Sequence, residues 1–301
     1  MREKTRRRRG TGQAPALVVV AASVFAAPAS PASASVPGLV QVAARSELTN
    51  SAAVKTATVT CPNNTVLTGT GYATSGAEGE VVIGALKPDG SPTKAPTSVV
   101  VTAYEADPFS GNWTVTAHAI CARLVGTAQF SRASSTGPGD FNRVVTDCPT
   151  GKVLTGTGFE VTGPPGAVVV DQLTPGGGPT LAPTSVLVGA HKLDEFDDDW
   201  SVTGYAICSD PLPGLGRILA TSAVDSDDFH RATPTCPGGT KVLTGLGFEV
   251  TGAAGQAVVD DMASNGTRTT PPFFANVTAY EEDPPFDDDW MVIGYAICAD
   301  R

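Results

Sequence analysis

The chain has 301 residues, with 20 Lys and Arg against 30 Asp and Glu, and a formal net charge of −10. Nucleic acid and anionic membrane surfaces are both bound through clustered Lys and Arg, so a chain this acidic is expected to take neither as a partner. Six cysteines, 33 glycines and 24 prolines with only 6% aromatic residues point to short strands and turns stapled by sulfur.

In chain order, residues 1–34 read as a secretory signal peptide. Arg2, Lys4 and Arg6 to Arg9 form a basic segment, an apolar run extends from Ala16 to Ala27, and Ala32-Ser33-Ala34 offers small residues for cleavage before Ser35. The apolar run is about a dozen residues, short of the ~20 that cross a bilayer. The paired arginines leave a twin-arginine export route open. Without the signal's six basic residues and Glu3, 14 basic and 29 acidic residues remain, a net charge of −15. The expectation is a secreted, extracellular protein with no membrane attachment after cleavage.

From there the sequence repeats itself three times. CPNNTVLTGTGY begins at Cys61, CPTGKVLTGTGF at Cys148 and CPGGTKVLTGLGF at Cys236, and each is answered by a strand-like segment running from Trp113 to Cys121, Trp200 to Cys208 and Trp290 to Cys298. The cysteines of a repeat are 60, 60 and 62 residues apart, and Trp stands eight residues before the second Cys each time. The simplest pairing closes each repeat on itself: Cys61 with Cys121, Cys148 with Cys208, Cys236 with Cys298. Each closure should stabilise its unit by roughly 4 kcal/mol in the chain-entropy model. The predicted units are 35–126, 127–213 and 214–301.

Each unit reads as about six strands, because Val, Thr, Ile and Tyr alternate with small or polar residues between Gly/Pro clusters. In repeat 1 they are predicted near Leu39–Ser46, Thr56–Cys61, Val66–Ala73, Glu80–Leu86, Ser98–Tyr104 and Trp113–Ala122. Period two puts Trp113, Val115, Ala117, Ala119 and Cys121 on one face, so Trp113, Trp200 and Trp290 are expected in the core beside the disulfides. The opposite face of repeat 3, Met291, Ile293, Tyr295 and Ile297, is apolar enough to be buried as well. Gly69 and Gly71 are spaced as in a nucleotide-binding loop, but a strand-like segment follows where that motif needs a helix. Glycine inside a strand makes room for a bulky neighbour, here expected to be the tryptophan.

The CPxG, VLTGxGF and W-x-V-x-x-YAIC blocks resemble those of exported β-repeat proteins of actinobacteria, a class with no established activity. A more distant similarity is to the vitelline membrane outer layer family, whose resemblance implies a threefold β-prism. The expected fold is therefore all-β, with three tandem antiparallel repeats of one disulfide each, built as small β-sandwich-like units or alternatively as a pseudo-threefold β-prism.

Acidic turns precede two of the tryptophans: Asp194, Asp197, Asp198 and Asp199 in repeat 2, and Asp283, Asp287, Asp288 and Asp289 in repeat 3. Closely spaced carboxylates suit calcium, which takes six to eight oxygens, whereas an ordinary solvated turn needs no ion. Repeat 1 has Asp107-Pro108-Phe109-Ser110-Gly111-Asn112 there, with most of the charge gone. His118, His191 and His230 follow no nucleophile motif, there is no G-x-S-x-G or H-E-x-x-H, and the disulfides consume the cysteines, so no catalytic residue is assigned. The leading expectation is a non-catalytic module that binds an extracellular polysaccharide, envelope polymer or protein, with Tyr104, Tyr205, Tyr280 and Tyr295 as candidate sugar platforms. The alternatives are a hydrolase with a site at a repeat junction, and a protease inhibitor presenting Pro164-Pro165 or Pro271-Pro272.

Overall fold

A computed structural model describes residues 36–193, 195–282 and 287–301; the expected signal peptide, 1–34, lies outside the described residues. These form 18 strands and no helix. Repeat 1 supplies β1 (Val40–Arg45), β2 (Val54–Thr60), β3 (Val66–Ser75), β4 (Val81–Pro88), β5 (Ser98–Glu105) and β6 (Thr114–Ala122). Repeat 2 supplies β7 (Ala128–Ala133), β8 (Phe141–Asp147), β9 (Val153–Thr162), β10 (Val168–Pro175), β11 (Ser185–Lys192) and β12 (Ser201–Ser209). Repeat 3 supplies β13 (Gly216–Thr221), β14 (Phe229–Ala232), β15 (Lys241–Thr251), β16 (Ala257–Ser264), β17 (Ala275–Glu281) and β18 (Met291–Asp300). Residues with β-branched side chains fill these segments, and glycine or proline sits at most of the turns between them.

The strands of one repeat do not share one sheet. In repeat 1, β6 pairs with β1 and β3, whereas β5 pairs with β2 and β4 in a different sheet. The two three-stranded halves face each other as a small sandwich, and the Cys61–Cys121 disulfide joins the residue following β2 to β6 across it. Cys148–Cys208 and Cys236–Cys298 do the same in the other repeats.

Each half is completed by a half from a neighbouring repeat, giving three six-stranded antiparallel sheets. The seams are short. Leu86 of β4 pairs with Phe159 of β9, Leu173 of β10 with Phe248 of β15, and Met262 of β16 with Tyr72 of β3. Repeat 1 thus joins repeat 2, repeat 2 joins repeat 3, and repeat 3 returns to repeat 1. The sandwich units and the threefold closure are two descriptions of one ring.

The closure explains the paired glycines, and corrects the expectation that tryptophan fills the space beside them. A Cβ on Gly69 would stand 2.3 Å from the Thr244 carbonyl oxygen, on Gly156 2.2 Å from that of Thr68, and on Gly245 2.1 Å from that of Thr155. Each first glycine meets the backbone of the preceding repeat around the axis. A Cβ on the second glycines, Gly71, Gly158 and Gly247, would stand 2.4, 2.5 and 2.2 Å from the carbonyl oxygens of Met262, Leu86 and Leu173 at the seams. The tryptophans pack instead beside later glycines: a Cβ on Gly163 would stand 2.7 Å from Cβ of Trp200, and on Gly252 2.9 Å from Cα of Trp290. Backbone approach of this kind leaves no volume for an indole, so only the absence of Cβ satisfies it.

Between the glycines, hydroxyls tie the ring. Thr68, Thr155 and Thr244 occupy β-bulges and donate to the carbonyls of Ile120, Ile207 and Ile297, each at 3.1 Å. Thr70 donates to the Thr157 carbonyl at 2.6 Å and Thr157 to the Leu246 carbonyl at 2.7 Å, crossing from one repeat to the next. Trp113, Trp200 and Trp290 are fully buried. The second face expected to be buried in repeat 3 is buried only in part: Tyr295 and Ile297 are buried whereas Met291 and Ile293 are half-buried, and the equivalents of Ile297, Ile120 and Ile207, are buried as well.

Every open sheet must manage two edges. On one edge, a loop of the neighbouring repeat reaches across: Gln129 of β7 donates its backbone N–H to Ser91 (3.1 Å), Arg217 of β13 to Gly178 (2.8 Å), and Gln41 of β1 to Thr267 (3.0 Å). β2, β8 and β14 form the other edges.

Candidate functional site

The second strand of each repeat runs along the mouth of its sandwich, over the tryptophan. Lys55 pairs in register with Ala103, Asn142 with Ala190 and His230 with Ala279, so these three residues are structurally equivalent. Alternation along VKTATVT turns Lys55, Ala57 and Val59 inward and Val54, Thr56 and Thr58 outward. An inward lysine on an edge strand deters pairing with another chain, and it also places an ammonium against the core. In repeat 1, Lys55 Nζ lies 4.8 Å from the centroid of the Trp113 ring. In repeat 2, Asn142 donates to the Trp200 carbonyl at 3.3 Å. In repeat 3, the His230 and Trp290 rings meet edge to face at 4.2 Å.

Repeat 1 opens a groove of about 480 Å³ at this position, between β1 and β2, bounded by Arg45, Glu47, Asn50, Lys55, Thr56 and Thr58. Lys55 is only 5% exposed, yet none of the ion pairs among the described residues includes it. Its ammonium donates to Asn50 Oδ1 at 2.5 Å. Glu105 is turned to other tasks, accepting from Trp113 Nε1 at 3.1 Å and from the Phe109 N–H at 3.3 Å. Burial lowers the Lys55 pKa, against the opposing field of Glu105. Asn50 is itself pinned, because its Oδ1 also accepts from the Ala52 N–H at 3.2 Å. Arg45 is steadied by Thr49 Oγ1 at 2.7 Å.

A second set of polar residues lies at the seams between repeats. The bulges of β4, β10 and β16 carry Gly84, Asp171 and Asp260. Tyr104 covers Gly84, leaving no room there for a Cβ. Asp171 is 2% exposed and bonds His191 Nδ1 through Oδ2, while its Oδ1 has no partner. Asp260 is equally buried; its Oδ2 accepts from the Gly79 N–H of repeat 1 at 3.3 Å, and its Oδ1 has no partner. Burial raises the pKa of both carboxyls, opposed by His191 at Asp171 and by Gly79 at Asp260, where Asp261 and Glu78 push further up. Period-two reading of VVVDQL and VVDDM places an acid within a buried run, a signal that sequence reasoning passed over.

The residues singled out in the sequence fall elsewhere. In the acidic turns Asp197, Asp198, Asp199, Asp287, Asp288 and Asp289 are exposed, while Asp194 and Asp283 lie outside the described residues. Among the described residues no three His, Cys, Asp or Glu side chains converge to hold a metal ion. Two of the four tyrosines are no platform: Tyr205 and Tyr295 are buried, with hydroxyls donating to Glu160 at 2.6 Å and Glu249 at 2.8 Å. Tyr104 and Tyr280 are half-buried near the seams. His118 bonds Gln41 at 2.6 Å, and burial lowers its pKa to about 4. Of the proline pairs, Pro165 is exposed, whereas Pro272 is buried and accepts the Leu243 N–H at 2.8 Å.

No family model and no curated protein matches the chain. Among solved structures, translation elongation factor SelB from Methanococcus maripaludis aligns in its apo form over 88% of this chain and 64% of its own, at 9% identity and a TM-score of 0.13. Its complex with the GTP analogue GPPNHP aligns over 86% and 62%, at 8% identity and the same TM-score. The chain spans less than two thirds of the length of these structures, and superpositions this poor carry no argument about fold or function.

Proposed function

We propose that this is a secreted, non-catalytic binding module whose partner is an extracellular polymer or protein. The observation that carries the reading is the groove of repeat 1. It has a volume of about 480 Å³, it is lined by hydrogen-bonding side chains, and one of its edge strands, β2, is anchored to the opposite sheet by the Cys61–Cys121 disulfide. Binding sites of this kind gain affinity from groups held in place before the ligand arrives. None of the hydrogen bonds made by the three histidines among the described residues goes to a Ser or Thr hydroxyl: His118 bonds Gln41, His191 bonds Asp171, and His230 contacts the Asp225 carbonyl at 3.4 Å. A histidine acting as general base needs the nucleophile within its hydrogen-bond reach.

The three disulfides and the basic-apolar-small layout of residues 1–34 support secretion. The test is retention of the full chain on a panel of immobilised polysaccharides and envelope polymers, run beside ester, glycoside and peptide hydrolysis assays. Retention on at least one polymer without turnover is the expected result. Turnover that is lost in His191→Gln would sink the non-catalytic reading.

A further inference from the structure

We infer that the groove of repeat 1 takes an anionic group of its ligand, a carboxylate or phosphate oxygen held between Lys55 and Arg45. This rests on the binding reading above and adds the chemistry of what is bound.

The groove holds a buried cation short of partners. An ammonium has three N–H donors, and burial that withdraws part of its hydration disfavours the charge unless acceptors or an opposite charge replace what is lost. Lys55 receives one hydrogen-bond acceptor, Asn50 Oδ1, and one aromatic ring, Trp113. Glu105, whose field reaches Lys55, is held by Trp113 Nε1 and the Phe109 N–H, and neither it nor Glu47, which also lines the groove, makes an ion pair with the ammonium. An anionic oxygen entering the groove supplies both the missing acceptor and the missing charge. Charge-assisted hydrogen bonds of this type are about twice as strong as neutral ones.

The equivalent positions indicate that the fold does not require the cation. Asn142 carries no charge, and His230 Nε2 has the Asp225 carboxylate at 3.5 Å. Repeats 2 and 3 close over the same tryptophan geometry without a lysine, so Lys55 is a feature of repeat 1 alone. Arg45 sits on the facing strand of the same groove, and its equivalents in β7 and β13 are Ala133 and Thr221. Both cations therefore coincide at the groove of repeat 1, in a chain whose net charge after signal removal is −15. Both are steadied by the loop between β1 and β2, through Asn50 and Thr49. Thr56 and Thr58 add hydroxyls along the outer side, where the sugar or polyol bearing the anion would lie.

Calorimetric titration of the full chain with tetragalacturonate, with poly(glycerol phosphate) and with neutral maltotetraose tests this directly. At least one anionic probe should bind with one site per chain and maltotetraose should not. The anion that binds names the source, uronic carboxylate or polymer phosphate. Lys55→Met and Arg45→Gln should each weaken the binding tenfold or more. Arg45 is exposed, so its variant reports on binding without a folding defect. The ligand class is overturned if both variants bind the anion as the parent does, or if maltotetraose binds as tightly, and in either case the binding module itself survives. If no probe binds, the inference falls, and the polymer-retention assay decides the broader reading independently.

Discussion

Around the axis the three repeats are nearly copies of one another; at the mouths of the sandwiches they have little in common. Gly69, Gly156 and Gly245 meet the neighbouring Thr carbonyls at 2.1 to 2.3 Å, so each repeat imposes the same demand on the next. Lys55, Asn142 and His230 sit over equivalent tryptophans and make three unrelated contacts. A position that touches a neighbouring repeat's backbone has one acceptable side chain, whereas a position on an edge strand has many. Closure fixes the interior and leaves the rim free to acquire chemistry, which is where a binding site is cheapest to build.

The largest expected effect breaks the closure itself. Gly156→Val places a branched side chain where even a Cβ would lie 2.2 Å from the Thr68 oxygen and 2.7 Å from Gly69 Cα. Both obstacles are backbone, so no rotamer change relieves them, and the cost should exceed the ~1–3 kcal/mol usual for overpacking. The variant should fail to accumulate as folded protein, or melt far below the parent. Gly137→Ala is the control: nothing lies within 4 Å of its Cβ position, and its melting temperature should match the parent's. Equal behaviour of the two variants would mean that the repeats do not close on each other in solution.

The next effect separates the seams. Asp260 is a buried carboxyl whose pKa is raised in the folded protein, chiefly by burial, with Asp261 and Glu78 adding to it. A raised folded pKa means that the native state prefers the protonated form. The stabilisation this gives is complete below the ordinary carboxyl pKa near 4 and is lost as pH rises through the folded value. Asp260→Asn keeps the shape without the charge, so it should be more stable than the parent at pH 7, by about 1 kcal/mol, with the advantage shrinking towards pH 4. Urea midpoints at the two pH values measure it. The matched change at Asp171 should gain less, because His191 already answers that carboxylate and would itself be left short of a partner. A destabilised Asp260→Asn at pH 7 would show that the charge is answered by a cation at the first and third repeats' seam.

The division between axis and rim also decides how much the sequence disclosed. The six strands of a repeat and the disulfides follow from local facts: alternation along VKTATVT, and cysteines 60 to 62 residues apart with Trp at a fixed offset. Which strands share a sheet does not follow, because pairs such as Leu86 with Phe159 join different repeats and leave no periodic trace in either. The glycines were visible, but their reason was not, since the atoms crowding them belong to another repeat. Lys55 was readable in part: period two turns it inward with Ala57 and Val59. That a groove opens beside it depends on the path of the loop between β1 and β2, for which no residue pattern speaks.

The smallest effect sharpens the comparison from inside the axis, at a place where the third copy differs from the other two. Thr70 and Thr157 each pass a hydroxyl hydrogen bond to the next repeat, and the corresponding residue of repeat 3 is Leu246, which is 1% exposed. Its methyl group Cδ1 lies 3.5 Å from the Cβ position of Gly71, so it fills space that a threonine would leave. Leu246→Thr supplies a third hydroxyl, worth about 1 kcal/mol if it reaches the Thr70 carbonyl. It also removes buried apolar volume, which costs roughly 1–2 kcal/mol. The two nearly offset, so the melting temperature should fall by only a few degrees. A loss as large as that expected for Gly156→Val would mean that leucine packing, and not the symmetry of the threonine ring, holds the third junction. An increase would mean that the ring was one hydrogen bond short of its most stable form.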